Sequence, residues 1–190
     1  MRPIGVVLGC SLWLVGAVAF GDAADAHYRL AKTLRDEGRY EEALAEIDAA
    51  VTARPSYAEG HITRGSILRR LGRYEEALKA FQRAIALEPK QGGAYGLAGA
   101  ALLRLDRPKD AIPYLKKAVA FEPEHKNHWL NLGVALRKSK NNAAAIATYR
   151  KGLEAHPNDP ELLNNLGVAL RKARRYDESI AAHERAVDAD

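Results

Sequence analysis

Residues 58–89 read AEGHITRGSILRRLGRYEEALKAFQRAIALEP. Two helix-length stretches, roughly Ala58 to Arg70 and Glu75 to Glu88, are joined there by the short break Leu71-Gly72-Arg73. In the first, His61, Arg64, Gly65 and Leu68 fall at three- and four-residue spacings, which places them on one helical face. In the second, Ala77, Phe81, Ala84 and Ile85 do the same. Gly72 supplies the left-handed backbone that often follows a helix, and Glu75 and Glu76 favour a helix start through the dipole. Pro89 then ends the unit. The stretch is a helical hairpin.

The same hairpin recurs along the chain. Pro55, Pro89, Pro123 and Pro157 stand 34 residues apart. That period also aligns Ala31, Gly65, Gly99, Gly133 and Gly167, then Ala43, Ala77, Ala111, Ala145 and Ser179, then Ala50, Ala84, Ala118, Gly152 and Ala186. A small residue at a crossing lets two helix backbones approach, and the large neighbour Ile47, Phe81, Leu115 or Tyr149 fills the adjoining hole. Repeated hairpins with short breaks give an all-α solenoid, whose function belongs to a surface and not to a catalytic pocket.

The pattern resembles the tetratricopeptide repeat family from about Ala24 onward. Its marks read His27-Leu30-Ala31-Leu34 to Pro55, His61-Gly65-Leu68 to Pro89, Tyr95-Ala98-Gly99-Leu102 to Pro123, Trp129-Leu132-Gly133-Leu136 to Pro157, and Leu163-Leu166-Gly167-Leu170 to the end. The resemblance implies a right-handed α-solenoid of about five helix-turn-helix copies, 24–57, 58–91, 92–125, 126–159 and 160–190. It also implies that first helices line a concave groove which receives a peptide or a partner's helix. Three departures stand out: Arg64 replaces an apolar residue, Pro108 and Asn142 replace an aromatic, and Pro113 falls inside a predicted helix that it should weaken or bend.

The formal charge of +5 has an address. Arg35, Arg69, Arg70, Arg104, Arg137, Lys138, Arg171 and Lys172 recur late in the first helices. In the resembled family these places face the groove, where a string of cations would steer acidic ligands. The competing reading is a set of solvated cations favoured by helix C-termini. Asn131 and Asn165 resemble the asparagine ladder of some arrays, since an amide bonds both N–H and C=O of an extended peptide. Arg29, Thr63 and Leu97 interrupt that ladder, so a structural role for the two asparagines weighs equally. The family's carboxylate clamp is not carried over: Tyr28, Lys32, Ile62, Ser66, Leu130 and Val134 occupy its places, and Lys32 alone remains a partner-binding candidate. Gly93, Gly96 and Ala100 make the middle of the expected groove small and smooth.

Several classes are disfavoured. Cys10 is the only cysteine, which excludes disulfides and cysteine metal sites. Among six histidines His125 and His128 lie close, yet no completing ligand accompanies them, so neither a metal nor another cofactor is expected. No phosphate-cradling glycine loop, Ser/His/Asp set or His-Glu-x-x-His motif supports an enzyme. Nucleic acid is not expected either, because no aromatic column accompanies the basic track.

At the start, Met1-Arg2 precedes an apolar run from Ile4 to Phe20 that ends in Ala17-Val18-Ala19. Residues 1–23 thus read as a secretory signal peptide with cleavage near Ala19 or Ala23. As a helix the run spans about 25 Å, short of a bilayer core of roughly 30 Å, and an uncleaved anchor is the alternative. Val7-Leu8-Gly9-Cys10 is only faintly similar to a lipidation box. The last copy has no further helix over it and carries His183 where others carry Phe81 or Tyr149, so that end is expected to fray, dimerise or dock on a partner. The reading is an exported scaffold, periplasmic or secreted, binding an acidic or extended segment of a partner protein. The alternative is a membrane-anchored assembly factor or a regulatory subunit that positions a separate enzyme.

Overall fold

The computed structural model describes residues 11–189, with side-chain surroundings from Ala23 onward. Those residues form ten helices and no strand: α1 (Ser11–Asp36), α2 (Tyr40–Ala53), α3 (Ala58–Arg70), α4 (Tyr74–Leu87), α5 (Gly92–Arg104), α6 (Pro108–Phe121), α7 (Lys126–Lys138), α8 (Asn142–Ala155), α9 (Pro160–Lys172) and α10 (Tyr176–Asp188). They pair in chain order into hairpins, each closed by a three-residue turn. Of the expected leader, residues 1–10 with the Val7–Cys10 box lie outside the described residues, and for 11–22 only the helical backbone of α1 is described. Among the described residues no helix is long and apolar enough to cross a membrane.

Inside each hairpin one small and one large residue set the crossing. A Cβ added to Gly65 would stand 2.5 Å from the Phe81 ring, one on Gly99 2.5 Å from Leu115 Cγ, and one on Gly167 2.6 Å from the His183 ring. On Gly133 it would clash with the Tyr149 ring. In the first hairpin Ala31 and Ile47, both fully buried, hold the same two places. Burial pushes the Tyr149 phenol up to about 12, against the opposing pull of the Arg137 guanidinium beside it.

Stacking of the hairpins is asymmetric. Each first helix packs on the second helix before it, and the first helices also touch one another, whereas the second helices stay apart. Long side chains bridge that wider side: Gln82 Nε2 donates to Tyr114 OH at 2.9 Å and Arg150 to Glu178 Oε2 at 2.7 Å. The stack therefore curves with α1, α3, α5, α7 and α9 inside.

The turns show how one geometry accepts different residues. Gly38 and Gly72 have φ of 80° and 76°, and Asp106, Lys140 and Arg174 hold the same left-handed place at 53°, 64° and 61°. A side chain there crowds the following carbonyl. One residue later Arg39, Arg73, Arg107 and Arg175 each pair with the acid three positions on, Glu42, Glu76, Asp110 and Glu178, at 2.6, 2.6, 2.7 and 2.6 Å. Hydrogen bonds from these arginines hold Glu42, Glu76 and Glu178 below the usual carboxylate range. In the fourth copy Asn141 caps α8 instead, its Oδ1 accepting the Ala144 N–H at 3.1 Å. Pro113 leaves α6 unbroken. It and Lys109, whose carbonyl loses its helical partner, are both exposed, so water can satisfy the orphan group.

Polar clusters tie the later copies together. Glu122, just after α6, accepts the Gly93 N–H at 2.8 Å and lies 3.0 Å from His128 Nε2. His128 is buried, its ring fills the space over Gly96 and stacks on His125 at 4.7 Å. Burial raises the Glu122 carboxyl, but the bonds from His128 and Gly93 outweigh it and hold the group below its usual range. At the next junction Lys126 pairs with Asp159 at 2.8 Å and Glu161 at 2.9 Å, while Asp159 caps α9 through the Leu162 N–H.

Two outcomes are expected. Lys140→Gly and Arg174→Gly should each stabilise the fold by about 0.5–1 kcal/mol, the relief of the left-handed strain less the entropy of glycine; an unchanged urea midpoint would show that the turn carries no such strain. Glu122 is depressed in the fold, so its contribution is complete above the unfolded value near 4.3 and is lost as pH falls through the folded value. Glu122→Gln should therefore cost on the order of 1 kcal/mol at pH 7, with the gap to wild type closing toward pH 3 in thermal melts. A gap constant with pH would exclude the charged carboxylate as its source.

Candidate functional site

The inner curve carries two adjoining depressions. One, of about 590 Å³, has a floor of Gly93, Gly96, Leu97 and Ala100 from α5 and Leu130, Asn131 and Val134 from α7, bounded by Arg69 of α3 and by Glu161 and Asn165 of α9. The second, of about 760 Å³, is lined by Arg69, Arg70, Tyr74, Ala100, Leu103, Arg104, Asn131, Val134 and Lys138. Arg69, Ala100, Asn131 and Val134 belong to both, so the two form one channel across α3, α5 and α7. The expected small, smooth bed is only partly formed: Leu97 and Ala100 lie along it, but the His128 ring covers Gly96 and the Glu122 carboxylate lies against Gly93.

Its electrostatics are one-sided. Arg69 and Arg70 make no ion pair among the described residues, and the Arg69 Nε is buried with no hydrogen-bond partner. Arg104 lies over the Tyr74 ring at 5.3 Å and its Nε donates to the Tyr74 hydroxyl at 3.2 Å, which fixes the guanidinium without neutralising it. Lys138 pairs with Asp106 at 2.9 Å, but Asp106 is 85% exposed, so solvent screens that pair heavily. Glu161, the acid at the far edge, is engaged by Lys126.

The candidate residues separate into groups. Arg69, Arg70, Arg104, Lys138 and Asn131 line the channel, and Asn165 borders it while its Nδ2 donates to the Glu161 carbonyl one turn back at 2.8 Å. Lys32 instead lies over the Tyr28 ring at 5.5 Å, and Arg35 is held by Asp36 at 2.8 Å. Arg137 is half-buried against Tyr149 with its Nε enclosed and unpaired. Arg171 and Lys172 are exposed on α9 away from both depressions. The basic residues thus occupy two neighbouring columns, Arg35, Arg69, Arg137 and Arg171 in one and Arg70, Arg104, Lys138 and Lys172 in the other, with Leu103 interrupting the first. Tyr74 was not among the sequence candidates because its column reads as hairpin packing; a cation four residues before it in Arg70 and 30 residues after it in Arg104 was the available signal. No group of side chains suited to a metal occurs among the described residues.

Known proteins share this architecture. Tetratricopeptide repeat sequence profiles match residues 14–58, 58–91, 97–160 and 130–190. No match was found among curated proteins. Among solved structures, MamA from Desulfovibrio magneticus RS-1 is 22% identical, with a TM-score of 0.83 over 90% of this chain and 96% of its own. YrrB, described as a TPR protein with an unusual peptide-binding site, is 23% identical with a TM-score of 0.76 over 92% and 93% of the two chains. Pseudomonas aeruginosa pilF is 21% identical with a TM-score of 0.76 over 90% and 78%. Since the profiles cover nearly the whole chain, this protein belongs to the tetratricopeptide repeat family, as a non-enzymatic protein-interaction scaffold.

Proposed function

We propose that the channel across α3, α5 and α7 binds an acidic, extended segment of a partner protein and that the chain works as an exported scaffold. The observation that carries this reading is the convergence of Arg69, Arg70 and Arg104 on one depression with no carboxylate of the described chain pairing any of them. Guanidinium groups form bidentate bonds with carboxylates. Several uncompensated ones along a groove add up to a field that raises encounter rates with an acidic ligand. Asn131, central to both depressions, can accept from and donate to the main chain of an extended segment. The peptide-binding site ascribed to YrrB is consistent with a groove of this kind. Export rests on the apolar run from Ile4 to Phe20, and attachment to a membrane would require that run to be retained or lipidated.

Affinity capture from source cells with wild type, an Arg69→Glu/Arg70→Glu/Arg104→Glu variant and an Arg171→Glu/Lys172→Glu control tests the site. The first variant should weaken a salt-sensitive partner at least tenfold, equivalent to roughly 1.4 kcal/mol, with unchanged helicity; the control should retain it. Equal retention by both variants would remove the channel as the site. Amino-terminal sequencing of the natural protein should begin after Ala19 or Ala23, and a chain beginning at Met1 would refute cleavage.

A further inference from the structure

At the edge of the channel two imidazoles share one carboxylate. His125, the residue before α7, and His128, in its first turn, both line the first depression, their rings stacked at 4.7 Å. His125 is exposed and His128 buried. One Glu122 oxygen accepts the Gly93 N–H at 2.8 Å and the other lies 3.0 Å from His128 Nε2. That carboxyl is held below its usual range, so at neutral pH it is ionised and can only accept. Nε2 of His128 therefore carries the proton, and Nδ1 of the neutral ring is left as a lone pair. Nδ1 and Cε1 are the ring atoms nearest Gly96, in the bed of the channel. The surrounding charges do not offset a cation here. Lys126 on α7 holds Asp159 and Glu161. Glu124 is exposed, with His156 Nε2 2.8 Å from its carbonyl. From α5 come only Gly93, Gly96, Leu97 and Ala100, from α7 and α9 Asn127, Asn131 and Asn165, and from α3 the cation Arg69.

We propose that His125 and His128 make the channel a pH-dependent site, which grips an acidic segment more tightly as the pH falls from about 8 to about 5.5. The inference rests on the channel reading above and adds its regulation. Imidazole is the side chain that ordinarily changes charge in that interval. One proton added to the pair is matched by Glu122. A second has no carboxylate of its own, and two imidazolium rings stacked on each other repel, so its charge joins that of Arg69 on the channel wall. Protonation also turns His128 Nδ1 from an acceptor, which opposes a ligand carboxylate, into a donor. Linkage makes the effect reciprocal: a bound acidic segment must raise the proton affinity of the pair by the same factor by which protons raise the affinity for the segment.

Calorimetric titration of the full chain with an acetylated, amidated tetra-aspartate peptide at low salt tests this, since aspartate stays ionised above about pH 5. Wild type should bind roughly three- to tenfold more tightly at pH 5.5 than at pH 7.5. His125→Gln alters an exposed ring, so it should match wild type at pH 7.5 and lose most of that gain. His27→Gln, which removes the imidazole bonded to Glu46 in the first hairpin, should keep the gain in full. In proton NMR the ring resonances of His125 and His128 should titrate at higher pH with peptide bound than without it. Binding that is absent at both pH values, or equally strong in the Arg69→Glu/Arg70→Glu/Arg104→Glu variant, would overturn the channel reading and this inference with it. Binding that needs those arginines but is no tighter at pH 5.5, or a gain that His125→Gln keeps whole, would overturn the inference alone.

Discussion

The crossing of the two helices in each hairpin, where a missing side chain on one helix admits a ring or branched chain from the other, is the contact on which everything else rests. Gly65 under Phe81, Gly99 under Leu115, Gly133 under Tyr149 and Gly167 under His183 fix the depth and angle of each unit. With that geometry repeated, successive units can only stack in one way, and stacking brings first helices together while second helices diverge. The inner curve and the spacing of its cations follow from this one arrangement. Local chemistry then adapts to it. Where glycine is absent from the turn, Asp106, Lys140 and Arg174 accept its backbone conformation. Where arginine is absent at the helix start, Asn141 caps instead.

Most of the architecture was legible because it is written in residues whose meaning is local. A proline after each second helix, a small residue at each crossing and acids in a first turn carry their physical reasons with them, and the fillers opposite the glycines could be named from spacing alone. The groove was less legible. Arg69 and Arg70 are adjacent in sequence but about 100° apart around a helix, and which of two neighbouring columns meets an adjoining hairpin depends on side-chain lengths in another copy. Arg35 was drawn to Asp36 and Lys32 to Tyr28, short-range attractions that spacing at the period of the array does not reveal. Pro113 shows the reverse limit: a residue that breaks many helices is tolerated here, where the carbonyl it deprives of a partner belongs to the exposed Lys109.

Charge is distributed with a division of labour. On the outside, arginines at the starts of second helices are matched one for one by nearby acids. Across the middle of the inside, three arginines face a common space without that match. The contrast matters more than the net value, because a uniformly basic surface attracts anything acidic, whereas a locally unbalanced one marks a place and an orientation.

The separation of the second helices also sets the mechanics of the array. One edge is a continuous ridge of touching helices; the other is a row of struts joined by single side-chain bridges such as Gln82 to Tyr114 and Arg150 to Glu178. A body built this way is stiff along its inner edge and compliant along its outer one. A change of pitch would therefore strain the side-chain bridges of the outer edge before it disturbed the packing inside any hairpin.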